Sequence, residues 1–309
     1  MRSPSFFISS GNLLLDRRFE WAKGLIARGE PRAAAELLAE TVARAPEFLA
    51  AWFLLGRARE EAGDRAGAID AYRRALALNS EDRLGAGLRL ARLGAREVSG
   101  GAPPGYVRTL FDQYAPRFDD ELRETLRYRG PDLLLAAIDA VFGADKRFAR
   151  VLDLGCGTGL MGAAIRKRTD ELAGVDLSPA MLAAAEEKHV YDRLILGDLV
   201  LFLTAEERSH ELIVAADVFV YLEDLAPVLR LAARRLPPSG AIAFSVETHA
   251  GEGVILGDTL RFAHGAPHVR KAAAEASLAV AHLADASTRI EKNAPVEGLL
   301  AVLRPASAG

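Results

Sequence analysis

One cysteine, Cys156, occurs in the 309 residues, so the chain forms no intramolecular disulfide and a reducing, cytoplasmic setting is expected. Long apolar runs are missing as well. Nothing approaches the ~18 residues of a membrane span, and the opening Met1-Arg-Ser-Pro-Ser-Phe-Phe-Ile-Ser-Ser carries too short an apolar run for a signal-peptide core. Charge of one sign is not in excess: 39 Lys and Arg face 42 Asp and Glu, and no block of like charges occurs. That balance argues against nucleic-acid binding and leaves no membrane-surface signal. His189, His210, His249, His264, His268 and His282 make no metal-ligand spacing, since Pro267 interrupts any helical face shared by His264 and His268. No metal is expected. With 50% hydrophobic and 26% charged residues, the chain reads as an ordinary globular protein long enough for two domains.

The most informative stretch present is Val151-Leu-Asp-Leu-Gly155-Cys-Gly157-Thr-Gly159-Leu160. A compact apolar run closed by glycine reads as a buried strand, and Met161-Gly-Ala-Ala-Ile reads as the helix after it. Alternating glycines let backbone amides approach a ligand that a Cβ would hold off. The dinucleotide fingerprint needs a glycine where Leu160 stands, while Asp153 precedes the first glycine by two residues. Two further strands end in acidic residues, Leu172-Ala-Gly-Val-Asp176 and Arg193-Leu-Ile-Leu-Gly197-Asp198. Taken singly, Asp176 is also a fair helix N-cap and Asp198 a fair turn residue.

The D-x-G-x-G-x-G spacing and the acidic strand ends resemble the class I S-adenosylmethionine (SAM) dependent methyltransferases. The resemblance implies SAM as cofactor, held by Asp153, Gly155, Cys156, Gly157 and Gly159 at the first turn. It extends to Asp176, Leu177 and Met181 at the second strand end, with Asp176 on the ribose hydroxyls. Gly197, Asp198 and Leu199 follow at the third, with Asp198 at the adenine amino group, and Asp217 after the fourth strand. Cys156 reads as a small packed side chain rather than a nucleophile.

Before this region the sequence repeats with a period of 34 residues. Gly29, Glu30, Ala34 and Leu38 return as Gly63, Asp64, Ala68 and Tyr72, and Trp21 aligns with Leu55. Trp52, Leu55, Gly56, Ala68, Tyr72 and Ala75 resemble the tetratricopeptide (TPR) consensus, with departures at Arg59 and Ser80. Leu84 to Arg96 supplies a capping helix. The region 1–98, with 16 basic and 13 acidic residues, is therefore expected to form an all-α TPR-like domain. Such a segment implies a protein partner or self-association.

Gly100-Gly-Ala-Pro-Pro-Gly105 marks a boundary, with 99–105 read as linker and 106–309 as the second domain. The following segment, 106–130, carries Tyr106, Phe111, Tyr114, Phe118 and Tyr128. By resemblance it folds over the cofactor as a lid; an amphipathic helix with its aromatics in the core fits the spacing equally. From residue 150 onward, strands at 150–154, 172–176, 193–196, 211–215, 241–246, about 279–283 and 298–303 alternate with helices. The expected fold is α/β, a seven-stranded, doubly wound, Rossmann-like methyltransferase sheet. A short turn at Lys292-Asn-Ala-Pro295-Val is expected to join the last two strands as a hairpin. The whole assembly resembles a bacterial family of predicted TPR-containing methyltransferases.

Methyl transfer needs alignment more than a fixed base. His249, Tyr221 and His264 are the candidates for catalytic contact; Arg261 and His264 are placed either to hold an acidic acceptor or, equally, to tie their segment to the lid with Tyr114 and Phe118. The leading expectation is an enzyme methylating a small molecule. Two alternatives stay open: a protein methyltransferase recruiting its substrate through the repeats, and a SAM-binding scaffold without turnover.

Overall fold

The computed structural model describes residues 9–98, 100–122, 126–291 and 293–306. The Phe6-Phe7-Ile8 run, Ser99 of the expected linker, positions 123–125 of the expected lid and Lys292 of the expected turn lie outside them, as do the final three positions. The chain divides into two compact units, 1–99 and 100–309.

The first unit is helical: α1 (Leu13–Ala27), α2 (Pro31–Arg44), α3 (Leu49–Glu61), α4 (Arg65–Leu78) and α5 (Ala86–Arg92). The 34-residue period gives two helix pairs, and α5 closes the second. Ala22, Ala34, Ala51, Ala58, Ala68 and Ala71 are all fully buried, and these small side chains let the helices approach closely. Gly56 has the same role at one point of contact: a Cβ there lies 2.5 Å from the Tyr72 ring. The Tyr72 hydroxyl in turn donates to Glu60 at 2.7 Å. Arg59, where the consensus has an aromatic, reaches over to the carbonyl of Gly67 at 3.0 Å. Asp82 starts the closing helix by accepting from the amides of Ala86 and Gly87. One alignment does not carry over in role. Leu55 is 1% exposed, whereas Trp21 at the corresponding place is 67% exposed.

The second unit opens with α6 (Pro104–Tyr114), a 3-10 turn, the single-turn α7 (Phe118–Asp120) and α8 (Gly130–Phe142). The Gly100–Gly105 stretch is more than a spacer: Gly101 bridges Leu222, and the amide of Ala102 donates to Tyr221 O at 2.8 Å. Then strands and helices alternate: β1 (Phe148–Leu154), α9 (Leu160–Ile165), β2 (Thr169–Asp176), α10 (Pro179–Glu187), β3 (Arg193–Leu196), α11 (Leu199–Ala205), β4 (Leu212–Ala215), α12 (Ala226–Ala233) and β5 (Ala241–Glu247). After them come β6 (Val254–Leu256), β7 (Phe262–His264), α13 (Ala266–Glu275), β8 (Leu278–Ala286), the short β9 (Ile290–Glu291) and β10 (Ala294–Pro295), and β11 (Gly298–Pro305).

Seven strands lie in the order β3-β2-β1-β4-β5-β11-β8, the first five parallel and β11 antiparallel to both neighbours. The sheet's period of two feeds two cores. Leu152, Leu154, Ile242, Phe244 and Val246 face α12 and α13, while Val151, Ala241 and Ala243 face Leu134, Ala137 and Ile138 of α8. Full burial of a side chain such as Ile138 contributes roughly 1.5–3 kcal/mol.

Two features differ from the sequence expectation. Residues 254–264 form the β6-β7 ribbon, whose β7 also pairs with β5. The last two long strands are antiparallel neighbours, but the described residues between them, 287–291 and 293–297, carry the β9-β10 ladder rather than a tight turn.

The packing in the first unit yields a direct test. Gly56→Ala is expected to destabilise the repeats by about 1–3 kcal/mol, since the Tyr72 ring has to move. Thermal unfolding followed by circular dichroism measures it, and an unchanged transition would contradict the packing.

Candidate active site

At the end of β1 the chain turns sharply through Gly155, Gly157 and Gly159, whose φ values are +62, +54 and +89. L-residues rarely adopt such values, which is why glycine recurs at every second position. The Gly157 amide donates to Asp176 Oδ2 at 2.8 Å, and the Ser178 amide donates to Asp176 Oδ1 at 2.8 Å. Asp176 is thus not the cap of α10; Ser178 is, through its bond from the Met181 amide. Burial raises the Asp176 pKa above the usual carboxylate value, with the two amides opposing the shift.

Beyond these strand ends lies a cavity of about 560 Å³. Its floor includes Asp153, Gly155, Cys156, Gly157, Asp176, Leu177, Gly197, Asp198, Leu199 and Asp217, the residues picked out in sequence at four strand ends. Asp198 caps α11 by accepting from the amides of Val200 and Leu201. Two picked residues do not reach the cavity wall. Met181 is fully buried inside α10, and Gly159 serves the turn, packing against Tyr191 while its amide closes onto Cys156 O. The thiol of Cys156 is pushed well above its ordinary pKa by burial, which suits a packed wall residue and not a nucleophile.

Asp153 is 1% exposed. Its Oδ2 accepts from the Tyr191 hydroxyl at 2.6 Å, while Oδ1 is buried without a hydrogen-bond partner. Burial pushes its pKa up to about 7, with the negative neighbour Asp176 adding to the shift and Tyr191 opposing it.

The roof comes from α6 and from the residues between it and α8. Tyr106, Phe111, Tyr114, Phe118 and Tyr128 all line the cavity, and no residue of α6 is buried in the core. The rings pack edge-on: Phe111 against Phe118 and Tyr221, and Tyr114 against Phe118. Two aspartates fasten this roof to the floor. Asp112 accepts from the Ser178 hydroxyl at 2.6 Å, and Asp119 accepts from Thr158 Oγ1 at 2.5 Å and Lys188 Nζ at 2.6 Å.

At the far end stands an ionic network that includes residues no sequence motif marks. Arg289, 3% exposed, binds Glu247 and Glu291 at 2.5 and 2.7 Å and reaches Asp217 at 3.5 Å. Arg261 lies 3.3 Å from Glu247, 3.5 Å from Glu291 and over the Tyr221 ring at 5.9 Å. Arg261 therefore answers two carboxylates of the chain itself, which weakens its case as a receptor for an acidic acceptor. Arg289 sits in the excursion just before the turn expected at 292–296, and nothing in its local sequence sets it apart from a surface arginine.

Two of the three catalytic candidates lie off the cavity. His249 is absent from the cavity lining; its ring bonds Gly253 O and the Gly251 amide at 3.0 Å each, holding its own loop. His264 is fully buried on β7, also off the cavity, with a pKa lowered to about 4 by burial and by His268. Tyr221 does line the cavity. Among the described residues no His, Cys, Asp and Glu cluster could hold a metal ion, and no helix is long and apolar enough to cross a membrane.

The cavity thus presents the carboxylates of Asp153 and Asp176 and the Gly197–Leu199 corner along one floor. Residues 151–240 match the family model described as a methyltransferase domain, and residues 19–83 match the one described as a tetratricopeptide repeat. Methyltransferase-like protein 27 of Homo sapiens is 38% identical over 91 residues, covering 29% of this chain and 37% of that protein. The malonyl-[acyl-carrier protein] O-methyltransferase of Enterobacter lignolyticus is 30% identical over 139 residues, 45% of this chain and 52% of that one. The chain thus spans about a third to a half of the length of these relatives. A solved N1-methyltransferase of Burkholderia thailandensis, crystallised with S-adenosylhomocysteine, shares the fold at a TM-score of 0.53 and 16% identity, covering 68% of this chain and 93% of its own.

The buried carboxylate makes a testable demand on stability. A carboxyl whose folded pKa is raised stabilises the fold at low pH, and that contribution is lost as pH rises through the folded value, here about 7. Asp153→Asn in the ligand-free protein is therefore expected to raise Tm by several degrees at about pH 8, by about half as much at about pH 5.5 and by little at about pH 4. An equal change at all three values would show that the carboxyl does not titrate in this way.

Proposed function

We propose that this chain, in which tetratricopeptide repeats precede a methyltransferase domain, moves the methyl group of SAM to a small acceptor enclosed in the cavity. The observation that carries the reading is the combination of the acidic floor with the aromatic roof. Asp153 Oδ1 is a buried acceptor awaiting a donor, and the ammonium group of the methionyl part of SAM is one. Asp176 keeps lone pairs for the ribose hydroxyls after accepting two amides, and the Gly197–Leu199 corner takes the adenine. At Gly157 a Cβ would meet no protein atom within 4 Å, so a side chain there would occupy space left to the ligand.

Bound SAM supplies a carbon made reactive by a sulfonium leaving group and open to in-line attack. The chain has to align the acceptor and keep water out. Phe111, Tyr114, Phe118 and Tyr221 form an apolar wall against water, and Asp112 and Asp119 tie it to the floor. Arg289 fixes Asp217 and Glu291 at the acceptor end, so these polar groups need no reorganisation when the acceptor arrives. Tyr221, between roof and network, is the residue we assign to contact with the acceptor.

An aromatic roof over the cavity supports a small acceptor over a polypeptide. The repeats serve as the surface for a partner protein or a second copy of the chain. The single, buried cysteine suits a reducing cytoplasm.

The reading is tested with methyl-labelled SAM and cell extract divided into small-molecule and protein fractions. Label is expected in the small-molecule fraction; label in protein alone would favour recruitment through the repeats, and none in either would favour a binding scaffold. Asp176→Ala is expected to weaken SAM binding by on the order of a hundredfold, as two hydrogen bonds to a charged group are lost. Calorimetry checks it, and unchanged affinity would remove Asp176 from the donor site.

A further inference from the structure

Tyr191 stands outside every motif in the sequence, yet the floor of the cavity is built around its ring. The residue precedes β3, and its backbone is fixed by the neighbouring Asp192: the Asp192 amide donates to Leu172 O at 2.9 Å, and Asp192 Oδ2 accepts from the Leu172 amide at 2.7 Å. The ring then passes beneath the glycine turn into a slot made by absent side chains. A Cβ at Gly162 would lie 2.3 Å from the phenol carbon and oxygen, one at Gly174 2.9 Å from the ring, and one at Gly159 3.0 Å. Three elements thus leave room for one phenol. The slot leads its hydroxyl to one place, Asp153 Oδ2, at 2.6 Å.

Among the described residues Asp153, which lines the cavity, has Tyr191 as its side-chain donor, and its second oxygen is buried without a hydrogen-bond partner. The Tyr191 hydroxyl is the side-chain group that favours one rotation of the carboxyl over the other. We propose that Tyr191 is a positioning residue for the methyl donor: it pins Asp153 through Oδ2, so that Oδ1 is presented to the donor's ammonium group in its charged form. The inference rests on the SAM reading and adds a residue that the glycine motif does not contain.

The groups facing Asp153 set the expected pH dependence. Asp176, at the end of β2, opposes its ionisation, while Tyr191 and the Gly162 amide favour it. Cys156 in the turn and Tyr128 from the roof also feel its charge, and burial holds both well above their usual pKa, so they stay neutral. The Asp153 carboxyl itself titrates at about 7, within the working range of a binding measurement. Ligand binding therefore weakens as pH falls through this value, and loss of the Tyr191 hydroxyl moves the weakening to higher pH.

The test is calorimetric titration of the full chain with S-adenosylhomocysteine, whose amino group remains protonated across the range used. Between about pH 8 and pH 6, wild-type affinity is expected to drop about tenfold. Tyr191→Phe keeps the ring in its slot and is expected to shift the profile upward by about one pH unit, so that the same interval costs about fiftyfold. Asp153→Asn is expected to bind weakly with a flattened profile. A Tyr191→Phe profile that overlies the wild type, or is displaced by the same factor at every pH, would overturn the proposal, because a merely structural ring would act that way. An Asp153→Asn profile as steep as the wild type would overturn it too, by assigning the dependence to Asp176. A wild type that binds no S-adenosylhomocysteine at any pH would remove the SAM reading itself, and this inference with it.

Discussion

The left-handed turn from Gly155 to Gly159 is the constraint on which the second unit depends. Its three positive φ values let the chain leave β1 and enter α9 within five residues, and each glycine also meets a different part of the fold. Gly155 is pressed against Val218, the segment after β4, where a Cβ would come within 2.4 Å of the valine. Gly157 gives its amide to Asp176 at the end of β2, and Gly159 rests on Tyr191 before β3. The turn therefore sets the spacing of the neighbouring strand ends as well as the shape of the cavity floor. Parallel strands place their carboxyl ends on one side of the sheet, and the loops leaving them open a crevice there. Here that crevice is roofed by a helical segment held down through Asp112 and Asp119.

Burial of charge is the second theme, and it is handled differently at the two ends of the cavity. At the far end, Arg289 is surrounded by Asp217, Glu247 and Glu291, so a buried cation is answered several times over. Removing one partner from such a network leaves the others uncompensated, which makes it rigid and sensitive. At the floor, Asp153 is left half-answered, with a raised pKa and a bare oxygen. A fold selected for stability alone would neutralise that carboxyl. Its retention beside a cavity is the kind of local cost that binding sites carry, offset when the ligand arrives.

Much of this was legible in the sequence because the signals are local. The 34-residue period yields the helix pairs, and the seven long strands fall within a few residues of the apolar runs that announce them. The acidic strand ends were visible because each follows an apolar strand directly. The rest depends on partners far apart in the chain. Arg289 and Glu247 meet only after β11 has folded back beside β5, and their neighbourhoods read as ordinary polar surface. Tyr191 was hidden for the same reason: its slot is defined by what Gly162 and Gly174 lack, and those residues look like routine small positions. His249 and His264 drew attention through their side-chain chemistry at a strand end, whereas burial and loop bonding decide their roles. The ribbon of β6 and β7 was missed because three-residue strands carry too few alternations to be seen.

A crystal structure of the full chain with S-adenosylhomocysteine tests the central claim most directly. The ligand's amino group is expected at Asp153 Oδ1, its ribose hydroxyls at Asp176, its adenine beside Gly197 to Leu199, and its sulfur under the rings of the roof, facing Tyr221. A ligand seated outside this cavity, or seated within it with Asp153 and Asp176 left untouched, would contradict the assignment of the methyl-donor site.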